Sequence, residues 1–130
     1  MYVRFVTAEH DEESHQELGV FQSVYRLRDT GGLTDYEESH LEEVREWFNR
    51  NLEKPTRFTN AKPPYYRRRQ NGISWFKASA EEHISKIWEL IALLDNHGVR
   101  VEMINTTRPG YVIYEDNFQI VAVPFADRDA

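Results

Sequence analysis

The stretch from Ile73 to Ile104 leaves few choices of architecture. It reads as a short aromatic lead-in, one long amphipathic helix and a strand. Ser79 and Glu82 stand at the spacing of a capping box, in which the hydroxyl takes an orphan backbone N–H and the carboxylate reaches back to the cap. Ile84, Ile87, Trp88, Ile91 and Leu94 then recur at offsets of three and four, and Leu90 and Leu93 widen the stripe. This spacing predicts a core helix. His97 and Gly98 suit its last turn and the left-handed residue beyond, after which Val99, Val101 and Met103 alternate with Arg100 and Glu102 as in a half-buried strand.

The remaining elements fall around that unit. Tyr2 to Thr7 is a β-favouring run with Arg4 its one charge, followed by an acidic connector over Glu9 to Glu13. Ser14 and Glu17 form a further capping-box pair ahead of Val20, Phe21, Val24 and Tyr25, and Gly31-Gly32 ends that helix. Thr34 and Glu37 repeat the start signal for Leu41, Val44, Trp47, Phe48 and Leu52, with Pro55 as the stop. Two helices joined by a glycine turn are expected to pack as an antiparallel hairpin. Arg108-Pro109-Gly110 marks a turn, and Tyr111 to Tyr114 and Phe118 to Val123 read as strands joined through Glu115-Asp116-Asn117. The expectation is a single two-layer α+β domain over residues 1–130. Three helices would cover a mostly antiparallel sheet of about four strands, in the order β-α-α-irregular-α-β-β-β, with the last three strands forming a meander and residues 126–130 frayed.

A chain of 130 residues with three Trp, seven Tyr and seven Phe can bury a real core. No apolar run approaches bilayer length, and Met1 to Phe5 lacks the basic-then-apolar layout of a signal peptide. A soluble, cytoplasmic protein is expected, with no membrane partner. The sequence has no cysteine, which removes disulfides, thiolate nucleophiles and cysteine-ligated metals.

The net charge of −6 conceals a sharp segregation. Residues 1–53 carry five Lys/Arg against thirteen Asp/Glu, residues 54–77 seven against none, and residues 78–130 four against nine. Local potential, rather than net charge, decides which ion approaches a surface. Within Lys54 to Lys77, the cations Arg57, Lys62, Arg67, Arg68, Arg69 and Lys77 are interleaved with Phe58, Tyr65, Tyr66, Trp75 and Phe76. Guanidinium groups grip phosphate in bidentate fashion and aromatic faces stack on exposed bases, so these types suit single-stranded nucleic acid or a nucleotide. The candidate ligand-binding residues are therefore Arg57, Lys62, Tyr65, Tyr66, Arg67, Arg68, Arg69, Trp75 and Lys77. A competing reading folds this segment back onto helix carboxylates, neutralising Glu38, Glu42, Glu43 or Glu46 while its aromatics enter the core. An acidic protein partner is a third target.

Catalysis has one candidate. His83 could act as general acid or base on a phosphoester held by Arg67 to Arg69, with Arg108 neutralising developing charge. Its structural counterpart is a first-turn histidine bonded to backbone. Glu37 and His40 have the i, i+3 spacing of metal-ligand pairs in di-iron bundles, but those sites need a second copy and two further glutamates. His10 and His15 fit no zinc pattern, and no nucleotide-binding glycine motif is present, so neither metal nor cofactor is expected. Tyr111, Tyr114 and Phe118 on the closing strands offer an aromatic sheet edge for a homodimer. The residue types together favour a non-enzymatic binding module.

Overall fold

A computed structural model gives the backbone of residues 1–11, 16–55 and 72–125 and the side chains of 1–7, 19–55 and 72–125, and these are the described residues. The elements are β1 (Tyr2–Asp11), β2 (Gln16–Gly19), α1 (Val20–Asp29), α2 (Asp35–Asn51), β3 (Ile73–Lys77), α3 (Glu81–Asn96), β4 (Val101–Thr106), β5 (Tyr111–Glu115) and β6 (Gln119–Val123). The class is α+β, as the sequence pattern predicts. Five strands follow the order β2-β1-β3-β6-β5, where about four are expected, with each neighbouring pair antiparallel. Off this path, β4 pairs with β1. The last three strands are therefore a hairpin plus a separate strand, not a meander. Adjacency along the chain favours a meander, but β4 pairs with β1, near the other end of the chain, where no local signal reports it.

The chain forms two compact units, one comprising Met1–Arg4, Glu53–Glu81 and Asn105–Ala130, the other Phe5–Leu52 and Glu82–Ile104. In the first, β6 lies between β3 and β5 and every one of its residues is buried, which accounts for the apolar run from Ile120 to Val123. Ile113, Val121 and Val123 cluster there with Tyr114 packed against them. Gly110 opens β5 at φ +137°, a conformation that a side chain resists.

The second unit holds the helices. Thr34 and Glu37 form the predicted capping box on α2, Glu37 N–H donating to Thr34 Oγ1 at 3.1 Å and Thr34 N–H to Glu37 Oε1 at 3.0 Å. Leu41, Val44 and Phe48 are its buried face. Phe48 meets Phe21 of α1 edge-on at 5.4 Å. Helix α1 starts at Val20, later than the Ser14–Glu17 signal places it, because Gln16–Gly19 is taken into an antiparallel ladder with β1. The hairpin closes through Asp11↔Gln16 and His10↔Glu17, and its ladder bonds outweigh a helix cap at the same place. Gln22 takes over the start of the helix, its Oε1 accepting from Gly19 N–H at 2.9 Å.

Helix α3 buries His83, Ile87, Leu90, Leu93 and Leu94. Its apolar stripe is thus rotated relative to the predicted one, and Trp88 stands 48% exposed. Met103, expected on the inner face of its strand, is also largely exposed. Gly98 closes α3 at φ +74° as predicted, with Val99 N–H reaching back to the Leu94 carbonyl at 3.0 Å. No helix among the described residues is long and apolar enough to cross a membrane.

Candidate functional site

The cationic stretch leaves the C-terminus of α2 and ends in β3. Of its candidate residues, Arg57, Lys62, Tyr65, Tyr66, Arg67, Arg68 and Arg69 lie outside the described residues. Trp75 and Lys77 lie within them, side by side on β3. Trp75 is buried at 8% exposure, and the Arg4 guanidinium sits 5.6 Å from the centre of its ring. Its indole Nε1–H is buried with no hydrogen-bond acceptor among the described residues. Lys77 Nζ contacts the Glu115 carboxylate at 2.6 Å. Both side chains are thus engaged in the first unit, the ring by burial and the ammonium by a carboxylate.

Both ends of the stretch are held on β6. At the leading end, Gln119 Nε2 donates to the backbone oxygen of Glu53 at 2.7 Å. At the trailing end, Ile73 pairs with Ala122. Gln119 and Ala122 are three residues apart on one strand, or about 10 Å at the rise of extended chain. The two stems are therefore fixed on neighbouring points of one buried strand. Gln119 is itself 4% exposed, so its amide must be satisfied, and it makes a further bond to Asp116 Oδ2 at 3.0 Å.

Asp116 is the hub of that arrangement. Its Oδ1 accepts from the backbone N–H of Phe118 at 2.8 Å and of Gln119 at 3.1 Å, and its Oδ2 from the Tyr114 hydroxyl at 2.7 Å. Burial pushes the Asp116 carboxyl up, but the bonds from Phe118, Tyr114 and Gln119 outweigh it and hold the group below the usual range. The Tyr114 phenol is pushed up to about 12, first by its bond to Asp116 and then by burial. Sequence reasoning assigns Asp116 to turn conformation and passes over Gln119, since a lone Gln in an apolar run carries no signal of what its amide will reach.

His83 lies in the second unit, 4% exposed, its Nε2–H donating to the Asn51 carbonyl at 2.8 Å. The rings of Trp47 and Phe48 flank it at 4.8 and 6.0 Å. The ring thus joins the first turn of α3 to the last residue of α2. Arg108 belongs to the first unit, where its guanidinium lies 5.3 Å from the centre of the Phe125 ring.

Glu37 and His40 are taken up separately along the same pair of helices. His97 Nε2 lies 3.0 Å from both Glu37 oxygens, and His40 Nε2 lies 2.7 Å from Glu89 Oε1. Residues 37, 40 and 51 of α2 thus face 97, 89 and 83, so α2 and α3 run antiparallel. The Glu37 carboxyl is held below its ordinary range by the Thr34 backbone N–H first and His97 second. The Glu89 carboxyl is lowered by His40 first, and by Lys86. No group of three His, Asp or Glu among the described residues could hold a metal ion. The spacing of Glu37 and His40 is real, but His40 is bonded to Glu89 on α3 and Glu37 to His97 just beyond it, rather than each to its helical neighbour.

The outer face of α2 carries a shallow depression of about 390 Å³ lined by Glu38, Ser39, Glu42, Glu43 and Glu46. Glu42 is bridged to Arg45 at 2.8 Å and Glu46 to Arg50 at 3.9 Å. Neither a family model, nor a curated protein, nor a solved structure matches this chain.

Proposed function

We propose that the protein is a non-enzymatic binding module that holds a polyanion, nucleic acid being the class its residue types fit, through the cationic stretch 54–77. The observation that carries this reading is charge segregation: seven Lys/Arg and no Asp/Glu in that stretch of a chain whose net charge is −6. Such an island attracts phosphate while the rest of the chain repels it. Arg67, Arg68 and Arg69 supply the phosphate contacts. Burial of Trp75 leaves base stacking to Tyr65 and Tyr66, and pairing of Lys77 with Glu115 leaves the cationic work to the residues between the stems. The stems on β6 support the reading, since a tethered segment loses less conformational freedom on binding than a free tail. His83 contributes by joining α2 to α3, a role that explains its burial without chemistry.

The test is fluorescence anisotropy of labelled single- and double-stranded DNA and RNA at low and moderate salt. Wild type is compared with a variant carrying Arg67→Ala, Arg68→Ala and Arg69→Ala. Loss of three phosphate contacts is expected to lower the slope of log affinity against log salt by about 2 on a single strand, with the fold intact. Salt-insensitive binding, or equal binding by the two proteins, overturns the reading.

A further inference from the structure

An exposed tryptophan on the best core helix of the chain calls for a partner. Trp88 sits on the outer side of α3 with its ring meeting Phe5 edge-on at 5.5 Å and 75°, so the indole is braced on one side and open on the other. It borders an open groove of about 650 Å³ within the second unit, with Ile91 and Ala92 along the helix and Val99 opposite. A braced Trp beside an apolar groove has the anatomy of an interface anchor, because it offers large area with little entropy left to lose.

The rim of the groove identifies the occupant. Asp95 and Arg100 both line it, and neither makes an ion pair among the described residues. A polyanion drawn to Arg100 meets Asp95, and a cationic peptide drawn to Asp95 meets Arg100. A second copy of the same face satisfies both, because a two-fold axis brings each residue to the other kind on its partner. The outer edge of β5 suits a second copy less well. The register of β5 against β6 shifts between Val112 and Tyr114, an irregularity of the kind that blunts edge pairing.

We propose that two copies of this chain associate about a two-fold axis through the Trp88 groove. Trp88 of each enters the groove of the other, and Asp95 of each pairs with Arg100 of the other. This interface stands independently of polyanion binding.

Sedimentation equilibrium of Asp95→Arg, Arg100→Asp and an equimolar mixture of the two tests it. Wild type is expected at twice the chain mass. Each single variant juxtaposes like charges twice and is expected to dissociate with a Kd raised tenfold or more. The mixture is expected to dimerise again, because a heterodimer of the two variants restores opposite charges at both positions. That recovery also shows that each variant is folded, and far-UV circular dichroism checks the same point. A monomeric wild type at about 100 μM overturns the proposal, since a dimer weaker than that has no hot-spot anchor. Dimerisation that ignores the single reversals, or a mixture that stays monomeric, also overturns it.

Discussion

Replacing Asp116 by Ala removes one side chain from four hydrogen bonds: two from backbone N–H groups, one from Tyr114 and one from Gln119. A bond to a charged acceptor is worth about 1.5–3 kcal/mol when cut alone. The four do not add, because they share one carboxylate and their donors are not stranded equally. Phe118 is exposed, so its N–H regains water, and the buried Gln119 amide keeps the Glu53 oxygen. The expected loss is therefore about 2 kcal/mol, well short of the sum, read as a lower urea midpoint at an unchanged slope. Asp116→Asn keeps an oxygen for the backbone donors but sets an N–H₂ group against Gln119, and about 1 kcal/mol is expected. The phenol gives a second readout. The Tyr114 hydroxyl stands at about 12 because ionising it beside Asp116 brings two anions together and breaks their bond. In Asp116→Asn its ultraviolet titration should move toward the ordinary tyrosine value of about 10. The signs fix the pH window. The lowered Asp116 carboxyl stabilises fully above its unfolded value and ceases to as pH falls through the folded one. The raised Tyr114 phenol stabilises fully below about 10 and ceases to as pH climbs through about 12. The gap between wild type and Asp116→Asn should thus be level from about pH 5 to 9 and close on either side. An unshifted alkaline titration, or a stability loss below about 0.5 kcal/mol for Asp116→Ala, refutes the hub.

Two further substitutions probe the frame. Glu37→Gln weakens both the return bond of the α2 cap and the contact with His97, and is expected to cost about 1–2 kcal/mol at neutral pH. Because the Glu37 carboxyl is lowered in the fold, its stabilisation is complete above the ordinary glutamate value and lost as pH falls through the lowered one. Urea midpoints of the variant should accordingly fall less on acidification than those of wild type, and parallel curves count against the assignment. Gly110→Ala puts a Cβ into the backbone carbonyl of Val123 at positive φ, and a loss of about 2–4 kcal/mol is expected by thermal or urea unfolding. Gly98→Ala also stands at positive φ but meets nothing within 4 Å, so about 1–2 kcal/mol is expected. Equal losses at the two glycines show that strain alone, without the close approach, sets the cost.

Much of the fold is legible in local chemistry. Thr34 and Glu37 announce α2 because a capping box is made within four residues, and Gly98 announces the end of α3 because only glycine takes that conformation freely. The all-apolar run after Gln119 marks a strand buried on both sides. The candidate site is legible as charge, since the island at 54–77 is a count along the chain. Its stems are not, because the bond from Gln119 to Glu53 spans 66 residues.

What the sequence determined by itself is whatever depends on neighbours along the chain: helix periods, caps, turns, the α+β class and the segregation of cations from anions. The tertiary structure decided what depends on neighbours across it. It took β4 to β1, near the other end of the chain, rather than to β5. It gave Glu37 and His40 separate partners on and beyond α3, and it turned Trp88 outward on a helix whose periodicity places it inward. The physical reason is the same in each case. Local signals differ by about a kcal/mol or less per residue, whereas ladder bonds and core burial are collected over many residues at once, so the long-range terms settle any position where the two disagree.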